Sequence, residues 1–134
     1  MSRSVEDYIK VILTLGGDSR YVGTVEVARY LEIKAPSVTQ MFKRLEELGL
    51  VTYKPRVGVK LSDKGFREAI KIMRKNLIFR LFLTEVLGLS EKEAAEEACK
   101  LEHVVTDEVL KRILKLISSK EKLTLYEKVN RQMT

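Results

Sequence analysis

The chain has one cysteine, one histidine, and no apolar run near the ~18 residues a bilayer-spanning helix needs. Each shortage excludes something. One cysteine cannot make an intramolecular disulfide, so any special role for it is as a thiol or a metal ligand. One histidine leaves Ser-His-Asp or Cys-His catalysis and multi-histidine zinc cages poorly supplied, and no glycine-rich phosphate loop is present. A metal-dependent hydrolase would also need a general base beyond its ligands, and none is evident. The expectation is a protein that is not an enzyme. The opening Met-Ser-Arg-Ser lacks the basic-then-apolar plan of a secretory signal, which points to the cytoplasm.

What is present is a basic chain with enough apolar residues to fold. At 134 residues and 45% hydrophobic content, it can make one ordinary domain or two small ones with a real core. Its net charge is +6, and residues 34–64, with seven Lys/Arg against three Asp/Glu, supply +4 of it. Surplus charge alone is usually a solvated face. The pattern beneath it is more specific.

From Lys34 to Lys64 the sequence predicts a reading helix followed by a two-stranded wing. Pro36 suits a first helical turn, where its missing N–H would have no partner. Val38, Met41, Phe42, Leu45 and Leu48 recur at helical spacing as a buried stripe, and Ser37, Thr39, Gln40, Lys43 and Arg44 lie opposite. Gly49 closes the helix. Leu50–Tyr53 and Val57–Leu61 then bracket a Pro55/Gly58 turn as a hairpin. A polar helix face beside a basic hairpin suits a major groove and its flanking phosphates. Base-edge contacts fall to Ser37, Thr39 and Gln40, and phosphate contacts to Lys43, Arg44, Lys54, Arg56 and Lys60. The other use of such a fold is for protein contacts alone.

Around this device the chain reads as mainly α: a winged helix-turn-helix domain over 1–62 and a helical domain over 63–134. Ser4 is the expected N-cap of a first helix with Val5, Tyr8, Ile9, Ile12, Leu13 and Leu15 on its apolar face. Glu6 and Asp7 fall in its first turn, where carboxylates suit the helix dipole. Thr24 caps the supporting helix of the helix-turn-helix. Ser62 or Asp63 opens a helix of roughly 24 residues (~36 Å) ending at Gly88. It is apolar on more than one face, which calls for cover from C-terminal helices or a second copy of the chain. Ser90 to Glu93 is a capping box, and Thr106-Asp107-Glu108 caps a further helix. Beyond Ser118 a short frayed helix is expected.

Cys99, Glu102 and His103 bring the lone thiol and lone imidazole together around a carboxylate within a segment that reads as helix. At i, i+3 and i+4 they share a face, and they are the three standard ligand types for a borderline divalent metal. The alternative is a small buried cysteine beside two ordinary helix residues. Three ligands in one turn need a fourth from elsewhere, and Asp7 is an available carboxylate.

SVEDYIKVIL, APSVTQMFKRLEELGLV, LSDKG and EEACKLEHVVTDEV together resemble the metal-dependent repressors related to the diphtheria toxin repressor and the manganese transport regulator. The likeness runs from about Ser4 to Leu116. It implies a homodimeric transcriptional repressor on a palindromic operator, with a primary metal site of Asp7, Cys99, Glu102 and His103. Iron-responsive members carry Met and Cys at the positions of Asp7 and Cys99, and manganese-responsive ones carry Asp and Glu, so this chain mixes the two. Fe(II) ranks first and Mn(II) second, with Zn(II), Co(II) or Ni(II) expected to bind in vitro. The family's second metal site is depleted: Asn76 and Ala95 replace histidines, Arg80 an acidic residue, and Lys10 a glutamate ligand. The chain also ends before the SH3-like domain of longer relatives. The competing expectation is a metal-independent winged-helix regulator in which Cys99 is inert or redox-sensing.

Overall fold

The computed structural model describes residues 1–118, so the helix expected after Ser118 lies outside the described residues. The chain forms two compact units, Met1–Ile70 and Lys71–Thr134. Among the described residues no helix is long and apolar enough to cross a membrane.

The first unit runs α1 (Arg3–Thr14), α2 (Thr24–Leu31), α3 (Ala35–Glu47), β1 (Val51–Lys54) and β2 (Gly58–Leu61), then enters α4 (Asp63–Leu81). Helix α1 starts earlier than the sequence suggests, because Ser2 and not Ser4 is its cap and accepts a hydrogen bond from the Val5 N–H (3.3 Å). Its buried face is Val5, Tyr8, Ile9, Val11 and Ile12. Gly23 rather than Thr24 caps α2. The Glu26 carboxylate reaches back to the Gly23 N–H (3.2 Å) and also accepts from the Arg20 guanidinium (3.1 Å). Those two bonds, Arg20's first, hold the Glu26 carboxyl down at about 2.

Helix α3 has Pro36 in its first turn, as expected, and buries Val38, Phe42 and Leu45. The expected stripe is too long at its end: Met41 is half-buried and Leu48 is 40% exposed. Leu48 is the C-cap, and at Gly49 (φ +75°) the chain turns away before the stripe can continue. Strands β1 and β2 pair antiparallel, Val51 with Leu61 through Lys54 with Gly58, one residue later at each strand start than the sequence suggests. Val22 adds a bridge on the free edge of β2, exchanging N–H···O bonds with Val59 at 2.7 and 2.9 Å. Val22, Val51, Val59 and Leu61 face inward and are buried.

Ser62 opens α4 by accepting from the Gly65 N–H (3.0 Å) and ties it to the end of α3 by donating to the Gly49 carbonyl (2.6 Å). The helix runs 19 residues and passes into a five-residue π turn, Phe82–Val86, closed by Leu87 N–H on the Phe82 carbonyl (3.3 Å). Its best-buried residues are Ala69, Ile72, Ile78, Phe79 and Leu83, while Phe66 and Val86 from the expected apolar set are 39% and 38% exposed.

In the second unit α5 (Glu91–Leu101) and α6 (Asp107–Ser118) pack against the π turn. The Ser90/Glu93 capping box is present, with reciprocal bonds of 3.1 and 3.2 Å, and Thr106 accepts from the Val109 N–H (3.3 Å). The core joins Ile78, Phe79, Ala98, Leu110 and Ile117, flanked by Leu81, Phe82, Leu101, Val105, Ile113 and Leu114.

A Cβ at Gly58 (φ +133°) would lie 2.1 Å from the Val22 carbonyl oxygen, whereas one at Gly49 (φ +75°) would meet nothing within 4 Å. Gly58→Ala is therefore expected to cost at least about 2 kcal/mol and Gly49→Ala about 1 kcal/mol, from backbone strain alone. Urea unfolding of the two variants checks the order, and equal losses would show that the Val22 bridge yields freely.

Candidate metal centre and nucleic-acid interface

On α3 the residues Ser37, Gln40, Lys43 and Arg44 are all exposed, on the arc opposite Val38, Phe42 and Leu45. Thr39 is half-buried at the edge of that arc, and its hydroxyl donates to the Ala35 carbonyl (3.3 Å). Arg44 also lines a surface cavity of about 260 Å³ with Ser2, Val5, Leu48 and Lys64. In the wing, Lys54 and Arg56 are exposed and Lys60 half-buried. Arg56 takes up left-handed backbone (φ +68°) at the tip, a conformation uncommon for residues other than glycine.

Two residues to which the sequence pattern gives no role tie the wing to the reading helix and to the turn before α2. The Glu46 carboxylate of α3 accepts from the Tyr53 N–H of β1 (3.0 Å), and Phe42 and Tyr53 meet edge to face with centroids 5.9 Å apart. Across the sheet the Lys54 ammonium stands 4.8 Å from the centre of the Tyr21 ring. These contacts join residues distant along the chain, so hydrophobic periodicity carries no trace of them. The wing is thereby held at a set angle to α3, as a groove-and-phosphate reader requires.

In the second unit, α5 ends at Leu101, and Glu102 is its C-cap. Glu102 and His103 thus sit in the turn after the helix and not inside it, a correction to the continuous helix expected. The geometry survives because Glu102 keeps helical backbone (φ −57°, ψ −26°) and its N–H still reaches the Ala98 carbonyl (2.9 Å). The His103 and Glu102 side chains are 4% and 0% exposed, with Nε2 and Oε1 3.6 Å apart. Glu102 is the one buried polar or charged residue among those described. A carboxylate taken out of water requires positive compensation, and paired O and N donors at this separation suit a divalent transition metal. Cys99, one turn earlier, is exposed, and its sulfur accepts from the Asn76 amide (3.9 Å). Arg80 is exposed and Ala95 half-buried. Asp7 and Lys10 lie half-buried on α1 in the first unit, with Asp7 3.9 Å from Arg3 one turn earlier.

Residues 1–59 match the family model described as "Iron dependent repressor, N-terminal DNA binding domain", and residues 62–122 that described as "Iron dependent repressor, metal binding and dimerisation domain". The chain is 47% identical over 114 residues to an uncharacterized HTH-type transcriptional regulator of Methanocaldococcus jannaschii, covering 84% of this chain and 91% of that one. It is 32% identical to the diphtheria toxin repressor of Corynebacterium glutamicum over 85% of this chain, and spans about half the length of that relative. Among solved structures, a manganese-dependent transcriptional repressor in complex with manganese superposes with a TM-score of 0.72 at 34% identity, over 81% of this chain and 50% of the other. Two of these three relatives are named as repressors and the third as a transcriptional regulator. With its winged half and its helical half each matched by one family's models, the chain belongs to the iron-dependent repressors, metal-dependent DNA-binding regulators of transcription.

Proposed function

We propose that this chain works in the cytoplasm as a homodimeric repressor of metal-homeostasis genes, gripping a palindromic operator when it holds one divalent transition metal per subunit. The observation that carries this reading is the Glu102–His103 pair, a carboxylate and an imidazole 3.6 Å apart and withdrawn from water, in a chain that also bears a wing-supported reading helix. In this reading residues 1–62 bind DNA and residues 63–134 hold metal and dimerise, a division that the matches over 1–59 and 62–122 support.

Glu102 and His103 would form the centre of the metal site, with Cys99 as the thiolate and Asp7 of α1 as a second carboxylate. Bound metal supplies a charge that favours whichever arrangement of these four side chains binds it more tightly, and only that difference in affinity can make DNA binding conditional. The thiolate favours Fe(II), and the two carboxylates keep Mn(II) second. Asn76, Arg80 and Ala95 offer no strong ligand, so one metal per subunit is expected.

On the DNA side Ser37, Thr39 and Gln40 would read base edges, with Thr39 the most constrained because its hydroxyl is already engaged by Ala35. Lys43, Arg44, Lys54, Arg56 and Lys60 would contact phosphates.

Anaerobic titration of metal-stripped protein with Fe(II) or Mn(II) should tighten operator binding by roughly 5–150-fold, the usual span of coupling between two sites. His103→Ala should abolish the gain, and Cys99→Ser should weaken the response to Fe(II) more than that to Mn(II). Equal affinity with and without metal would leave a metal-independent winged-helix regulator. Gln40→Ala should cost roughly 1–3 kcal/mol on the operator and relax sequence preference. Lys60→Gln should instead weaken all duplexes alike and flatten the salt slope by about one unit. The same profile for both variants would overturn the assignment of base and phosphate contacts.

A further inference from the structure

The Val22–Val59 bridge sets the segment before α2 in antiparallel register beside β2. In the antiparallel register, alternate residues share a face, so Val22, Val51, Val59 and Leu61 point inward while Tyr21, Thr52, Lys54 and Lys60 belong to the outer face. Lys54 lies directly opposite Gly58. A Cβ at Gly58 would lie 3.0 Å from the Gly23 Cα, so the row that Lys54 starts continues through two glycines. With no side chain in its way, the Lys54 stem crosses the sheet and sets its ammonium 4.8 Å from the centre of the Tyr21 ring. The ring itself is half-buried and its backbone is fixed, since the Tyr21 carbonyl accepts from the Arg20 guanidinium (3.1 Å) and Arg20 is held by Glu26.

We infer that Tyr21 is a positioning residue for DNA binding, its ring holding the Lys54 ammonium over the outer face of the wing where that charge meets a backbone phosphate. The inference rests on the reading of the wing as a phosphate-contacting element. A lysine on an exposed strand is free to explore many rotamers, and fixing it on contact with DNA costs up to about 2 kcal/mol of side-chain entropy. An aromatic face orders it beforehand. The attraction is to the quadrupole of the ring, so it leaves the ammonium hydrogens that point away from the ring able to serve an anion. It also offsets the repulsion between Lys54 and Lys60, which share this face.

The test is a double-mutant cycle on the Mn(II)-loaded protein, with affinity for operator and for unrelated duplex measured against salt. Tyr21→Leu should weaken both duplexes about three-fold, the strength of an exposed cation–π contact, and Tyr21→Phe, which keeps the ring face, should restore binding. In a Lys54→Gln background Tyr21→Leu should have no further effect on affinity. Thermal unfolding of each variant reports any loss of the wing's own structure. The inference is overturned if Tyr21→Leu weakens binding equally with and without Lys54, or if Tyr21→Phe behaves like Tyr21→Leu. Lys60→Gln separates the two failures. If it lowers affinity and salt slope while Tyr21→Leu does nothing, only the role of Tyr21 falls. If no variant and not even the wild type shows salt-dependent duplex binding, the phosphate-contacting wing falls with it.

Discussion

A carboxylate sealed from water is the constraint on which the chemistry of this protein turns. Glu102 is 1% exposed, and its neighbour His103 holds its ring 3.6 Å away. An isolated buried charge would be neutralised or expelled, so such a residue persists only where a cation or a set of donors stands against it. The backbone prepares this arrangement. By ending α5 at Leu101 but keeping Glu102 in helical geometry, the chain ties Glu102 to the last turn of the helix through its N–H bond to the Ala98 carbonyl and leaves His103 in the turn that follows. Val105, immediately beyond, packs on the core of Ile78, Phe79 and Leu110, which fixes the far side of the turn.

The DNA-facing unit solves a different problem, that of keeping a small basic surface rigid. Phe42 is fully buried beneath α3 and also meets Tyr53 of the wing, so one side chain serves the helix-turn-helix core and the hairpin together. Glu46 fastens β1 to α3, Val22 fastens β2 to the α2 side, and Ser62 fastens the start of α4 to the end of α3. A two-stranded hairpin is marginal by itself, and these attachments make it part of the domain. The charges of Lys54, Arg56 and Lys60 then stand on a platform that does not have to be ordered at the moment of binding.

Much of this was legible in the residues. Pro36, the Val38/Phe42/Leu45 stripe and Gly49 marked the reading helix, and the Ser90/Glu93 and Thr106 caps marked α5 and α6, because each signal is local and its physics acts within one or two helical turns. The misses were local as well as distant. Ser4 and Thr24 are good caps by type, yet Ser2 and Gly23 hold those positions, since a helix extends backward when an earlier residue can close its first turn. Val86, in the π turn that follows α4, proved exposed, because the π turn at Phe82–Val86 breaks the 3.6-residue phase on which the stripe was drawn, while the exposure of Phe66 near the start of α4 has no part in that slip.

The sequence by itself determined the class of the protein: mainly helical, with one winged reading head and a helical second half carrying a thiol, a carboxylate and an imidazole within five residues. Those features follow from periodicity, capping and the scarcity of alternatives to Cys99 and His103. Only the tertiary structure decided which of these groups leave water, that the Cys99 sulfur faces Asn76, and that Tyr21 and Glu46 hold the wing. Burial and cross-strand contact depend on residues tens of positions apart, and no pattern of neighbours along a chain encodes the distance between them.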